Sequence, residues 1–320
     1  MTTRTTKLEY QVVQGWDRLP AGWSYVEAAA VATDSRDRVY VFNRGEHPVI
    51  VYDREGKFLG SWGEGVFTNA HGATVGSDDS VYLTDNYDHT VRKFTPEGKL
   101  LLTIGTKDTP SDTGYSEESP TVKRGAGPFN RQTNVAIAPN GDIYVADGYR
   151  NARVHRFGAS GKLLASWGEP GSGPGQFNLP HGIAVDRQSR VYVADRENLR
   201  IQVFTAEGKY LTEWGDVNRP CSLFVDRQDN LFVAELGLHN IKATGGRSPV
   251  ARVSVFGLDG TLKTRWGGPE GCSAGNFFAP HGIWADSRGD VYVTEVVMSV
   301  GGRRGLIPPT CHTIQKFARK

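Results

Sequence analysis

Apolar and polar residues alternate with a period of two in short runs along the chain, and the same runs return in the same order. The most regular set reads VYVFN at 39–43, VYLTD at 81–85, IYVAD at 143–147, VYVAD at 191–195, LFVAE at 231–235 and VYVTE at 291–295. Ahead of each stands an apolar segment ending in a polar turn: DSRDR, GSDDS, APNGD, DRQSR, DRQDN or DSRGD. Behind each comes a third run (IVYD, VRKF, VHRF, IQVF, VSVF, IQKF), then a tight turn such as PEGK or AEGK, then a fourth run ending near Trp-Gly, as at Trp62, Trp167, Trp214 and Trp266. Period-two alternation, enrichment in Val, Ile, Tyr and Phe, and Gly/Asp/Asn boundaries are strand signals. Four strands in a unit of about 40 residues mark a propeller blade. Units begin near Ala28, Ala70, Gln132, Leu179, Pro220 and Pro280. The chain is therefore expected to be all-β, one domain over 1–320 built as a six-bladed β-propeller. The sixth unit supplies only three strands. EYQVVQGW, residues 9–16, ends in the same Gly/Trp surroundings as the fourth strands. It is expected to complete blade six, closing the ring and removing an open sheet edge.

Composition then excludes several classes. Lys and Arg total 37 against 35 Asp and Glu, a net charge of +2, without the basic excess that nucleic acid or a membrane surface demands. No apolar run is long enough to span a bilayer. The opening MTTRTTKLEYQVVQGW lacks the apolar stretch of a secretory signal. Cys221, Cys272 and Cys311 are odd in number and far apart, which predicts no disulfide framework and a reducing, cytoplasmic compartment. A monomer is expected, and GGRRGL at 301–306 reads as a solvated basic loop.

Candidate chemistry follows from the repeat. In an antiparallel blade, the turns between strands one and two and between three and four share one face. The other face here carries every long insertion, 106–131, 237–250 and 297–311, and long loops on a rigid scaffold commonly carry binding residues. The first position of the innermost strand reads Ala29, His71, Thr133, His181, Cys221 and His281 in successive blades. Histidines in alternate blades of a six-fold ring point inward about 120° apart. Three nitrogen donors with an open fourth position suit a catalytic Zn2+, or another divalent transition metal. At the end of strand two a repeating acid (Asp85, Asp147, Asp195, Glu235, Glu295) is expected to bind backbone amides. Arg44 and Arg196 occupy matching positions in blades one and four. Guanidinium groups grip a carboxylate bidentately, so a small molecule or peptide end bearing a carboxylate is the expected substrate; pairing with nearby acids is the competing reading. Tyr87 and Tyr149 follow the acid in blades two and three. A phenol there can contact substrate or serve as a base.

The units resemble NHL repeats, and VADGYRNARVHRF at 145–157, LPHGIAVD at 179–186 and VADRENLRIQVF at 193–204 are similar to the peptidyl-α-hydroxyglycine α-amidating lyase family. APHGIWAD around His281, AHG around His71 and NRG at 43–45 extend the likeness. The resemblance implies a central zinc held by His71, His181 and His281, with Tyr149 as the base. Arg44 would steady the substrate carboxylate and Tyr149, with Arg196 in support. It implies a lyase that opens a carbinolamide C–N bond to give a primary amide and glyoxylate. The family's structural Ca2+ uses an aspartate after the last zinc histidine; this chain has Gly282. The family's cysteine after the site tyrosine is Arg150 here, so its disulfides are not expected. Two other readings stand beside this one. A metal-dependent propeller hydrolase or lactonase would favour acidic calcium ligands, and a non-catalytic NHL interaction platform would hold no metal.

Overall fold

In blades one, four and six the polar turn closes through a single aspartate. Asp34 Oδ1 accepts the amides of Arg36 (3.0 Å) and Arg38 (2.9 Å), and its Oδ2 accepts the Tyr40 hydroxyl at 3.0 Å. Asp186 does the same for Gln188, Arg190 and Tyr192, and Asp286 for Arg288, Asp290 and Tyr292. An aspartate that satisfies the amides two and four residues on fixes the hairpin, and the tyrosine of the next run seals it from inside. This is why the repeat couples an Asp turn to a VY pair.

The computed structural model describes residues 8–237 and 250–320; most of the expected 237–250 insertion falls outside them. Six four-stranded antiparallel sheets follow in chain order. Their first five blades span 28–62, 70–104, 132–167, 180–214 and 220–266. Blade six takes Pro280–Ala285, Val291–Glu295 and Ile314–Arg319, with Tyr10–Val13 as its outer strand, Tyr10 opposite Arg319 and Val13 opposite Lys316. The ring is thus closed by the N-terminal strand, which is shorter than the predicted 9–16.

The hydrophobic core lies between blades, leaving the axis free for polar groups. Val154, Phe177, Val193 and Phe204, for example, pack blade three on blade four. The terminal tryptophans serve the same contact. Gly98 and Gly208 hold φ of +88° and +86°, and a Cβ there would strike the rings of Trp62 and Trp167 from the preceding blade. The EGK turn thus needs glycine for both its backbone and its neighbour. Trp16 plays this part at the closure: its Nε1 donates to Arg54 O at 2.8 Å, and its carbonyl crowds Gly56.

The cysteine expectation is corrected. Cys272 and Cys311 form a disulfide, and only Cys221 is free. Their 39-residue separation conceals proximity, because the loop entering blade six and the end of its insertion meet on one face. The pairing removes the ground for expecting a reducing compartment. Among the described residues no helix is long and apolar enough to cross a membrane. A concavity of about 530 Å³ opens at the far mouth of the channel among the Asp turns, with Phe224 and Trp284 in its wall. Those aspartates already bind turn amides and hydroxyls of their own or the adjoining blade, and the histidines lie at the other end.

Candidate metal centre

The period of two breaks at one place in every inner strand. Register shifts by one residue between Ala70 and Gly72, Pro180 and Ile183, and Pro280 and Gly282, and at the equivalent positions of the other three blades. A bulge of this kind re-aims the extra side chain. Here that residue is His71, His181 or His281, and the bulge turns it to the axis.

The three imidazoles form a nearly equilateral set, with ring centroids 4.9, 4.7 and 4.8 Å apart. All three are buried. Each Nδ1 meets a carbonyl of the next blade: His71 with Thr133 at 2.6 Å, His181 with Cys221 at 2.7 Å, His281 with Ala29 at 2.7 Å. A carbonyl only accepts, so Nδ1 carries the proton and Nε2 presents a bare lone pair to the axis. Ligand atoms from the three residues lie within 4.8 Å of one another. Outer carbonyls that orient the rings, with converging nitrogens inside, are what a divalent metal needs. The glycine after each histidine permits the approach. A Cβ on Gly72 would lie 2.6 Å from Thr133 O, and one on Gly282 would lie 2.8 Å from Ala30 Cα. Position 282 therefore has no room for the calcium-binding aspartate. Among the described residues the histidine triplet alone forms a metal-capable group.

Burial holds all three imidazoles neutral. It lowers His71 and His181 well below the usual histidine range and His281 to about 3, with Arg44 and Arg196 adding repulsion of the charged form. The sign for stability follows. Below about 6.5 the unfolded chain takes up protons that the folded centre refuses, so the metal-free fold loses stability as pH falls through that value. Three such groups amount to at most about 4 kcal/mol per pH unit. Urea unfolding of chelator-treated protein is expected to show a clear drop in midpoint from pH 7 to pH 5.5, and a flat profile would refute the buried neutral triplet.

Tyr149 enters from blade three. Its hydroxyl lies 3.0 Å from His71 Nε2 and 3.2 Å from His181 Nε2. The lone pairs it meets are those a metal would take. Arg196 sits over the Tyr149 ring, 5.6 Å from its centroid. Burial works against its charge, but Tyr149, Cys221 and Glu197 outweigh burial and hold Arg196 protonated. Both arginines have acid partners: Arg196 Nε donates to Glu197 at 2.9 Å and Arg44 Nη1 to Glu27 at 2.7 Å. Arg44 Nε also donates at 2.9 Å to the carbonyl of Ala70, the residue before His71.

Tyr87 is not drawn into this group. It stands 48% exposed, with Arg131 over its ring at 4.5 Å. The repeating acids do bind backbone amides, as with Asp195 to Asn178 at 2.7 Å and Glu295 to Phe278 and Ala279 at 2.8 and 2.9 Å. Cys221 lies fully buried, its thiol pushed up by burial against the pull of Arg196. Insertion 106–131 packs beside Tyr149, with the Thr113 hydroxyl 2.6 Å from Arg150 O and Tyr115 under the Arg150 guanidinium. The sequence reading passed over Glu27. A signal existed: the equivalent positions of the other blades hold Asn69, Arg131, Leu179, Arg219 and Ala279, so Glu27 is the one acid in its column.

The NHL repeat model matches residues 67–94, 133–157 and 177–204. NHL repeat-containing protein 3 of Mus musculus is 31% identical over 311 residues, covering 87% of this chain and 81% of that protein. Peptidyl-alpha-hydroxyglycine alpha-amidating lyase 1 of Drosophila melanogaster is 37% identical over 162 residues, covering 47% of this chain and 27% of the fly protein. Among solved structures, a gluconolactonase from Xanthomonas campestris shares the fold, with a TM-score of 0.62 and 13% identity over 93% of this chain and 87% of that one.

Proposed function

This chain belongs to the NHL repeat-containing protein family, and we propose that it works as a metal-dependent carbon–nitrogen lyase on an α-hydroxyglycine-type carbinolamide. The products would be a primary amide and glyoxylate. One observation carries the reading: three Nε2 lone pairs converge on the axis, and the Tyr149 hydroxyl touches two of them. The likeness to the fly amidating lyase supports the same chemistry.

His71, His181 and His281 would hold the ion. A bound zinc or similar cation would supply Lewis-acid polarisation of the substrate hydroxyl. Arg44 and Arg196 would take the substrate carboxylate and set the carbinol carbon beside Tyr149. Tyr149 would serve as the base that takes the hydroxyl proton. The oxygen's electron pair then forms the carbonyl of glyoxylate as the C–N bond breaks. The nitrogen keeps that bonding pair, takes up the proton that Tyr149 received and leaves as the primary amide.

Purified protein loaded with zinc is expected to convert α-hydroxyhippurate into benzamide and glyoxylate in equal amounts. Chelation should stop the reaction and added zinc restore it. Fully loaded protein that releases no glyoxylate would rule this reading out.

A further inference from the structure

Arg44 owes its place to residues from two blades. Glu27 is fully buried and precedes the inner strand of blade one. Its Oε1 accepts both Arg44 Nη1 and the Ser299 hydroxyl, and its Oε2 accepts the Ser299 amide at 2.8 Å. The Ser299 hydroxyl also lies 3.1 Å from Arg44 Nη1. Ser299 belongs to the four-residue helix Val297–Val300 inside the blade-six insertion. That insertion is fixed independently: Met298, Val300 and Ile307 pack on the core between blades one and two, and Cys311 at its end is bonded to Cys272. With Nε on Ala70 O and Nη1 on Glu27 and Ser299, no partner is found among the described residues for Nη2.

Resting on the reading of Arg44 as a carboxylate grip, we propose that Glu27 and Ser299 are positioning residues for substrate binding. They make the blade-six insertion a working part of the site: they hold the guanidinium edge-on, with Nη2 turned out for the substrate carboxylate. The geometry sets two effects against each other. By charge alone, neutralising Glu27 leaves Arg44 less compensated and tightens carboxylate binding. By position, neutralising it frees the guanidinium to swing and weakens binding.

Calorimetric titration of zinc-loaded protein with hippurate, which carries the carboxylate but cannot react, separates them without needing turnover. Ser299→Ala and Glu27→Gln are each expected to weaken hippurate about tenfold, as loss of a hydrogen bond to a charged group does. Ser299→Thr, which keeps the hydroxyl, should bind nearly as the parent does. On α-hydroxyhippurate the same variants should raise KM about tenfold, with kcat within about twofold, since Tyr149 and the histidines are untouched. Unchanged or tighter hippurate binding in Ser299→Ala overturns the proposal, and so does a parent protein that binds no hippurate. If Glu27→Gln does not fold, Ser299→Ala decides alone. Hippurate binding without turnover by the parent would refute the lyase reading while leaving the positioning role standing.

Discussion

The His181→Ala variant is expected to purify with almost no bound metal, and with lyase activity reduced far more than roughly 100-fold, the upper range for losing an outer-shell partner of a metal ligand. The cause is geometric. The lone pair of His181 is fixed toward the axis because its other nitrogen donates to Cys221 O, and neither His71 nor His281 can span the gap it leaves. Two nitrogens cannot keep the open-sided three-ligand set of a catalytic centre. The fold should survive, because the blade-to-blade core is separate from the axis. Elemental analysis beside circular dichroism checks both parts. Parental metal content in a folded variant would mean that the ion is held elsewhere, and the proposed mechanism would go with it.

Tyr149→Phe is expected to retain its metal and to lose 10²- to 10⁴-fold in kcat, roughly the range for removing a general base. The substitution deletes one oxygen that touches His71 and His181 but leaves the ring under Arg196. KM should change little, because Arg44 and Arg196 remain to take the carboxylate. Steady-state kinetics with α-hydroxyhippurate at matched zinc content measures the split. A kcat within a few-fold of the parent would remove Tyr149 from the proton transfer.

These expectations draw on two sources of different reach. Local pattern determined the fold: a two-residue period with Asp turns and EGK turns makes each blade, and six copies with one strand short require the N-terminal segment to close the ring. The same register put His71, His181 and His281 in one column. A repeat is legible because each blade solves the same packing problem with the same residue types. What the period could not reveal is the bulge that breaks it. An alternation read from sequence continues straight through His71, whereas the sheet inserts one residue there and swings the ring to the axis.

Contacts between distant segments likewise emerge only on folding. The reach of Ser299 from blade six to Glu27 and Arg44, the joining of Cys272 to Cys311, and the drift of Tyr87 to the rim against Arg131 have no local signature. Insertions lie outside the repeat, so nothing in the column of equivalent positions constrains where they land. Short-range periodicity repeated six times is enough to specify the ring and the column of three histidines. How the arginines are held, which cysteines pair and where each ring points depend on packing between blades, and they were settled only when the wheel closed.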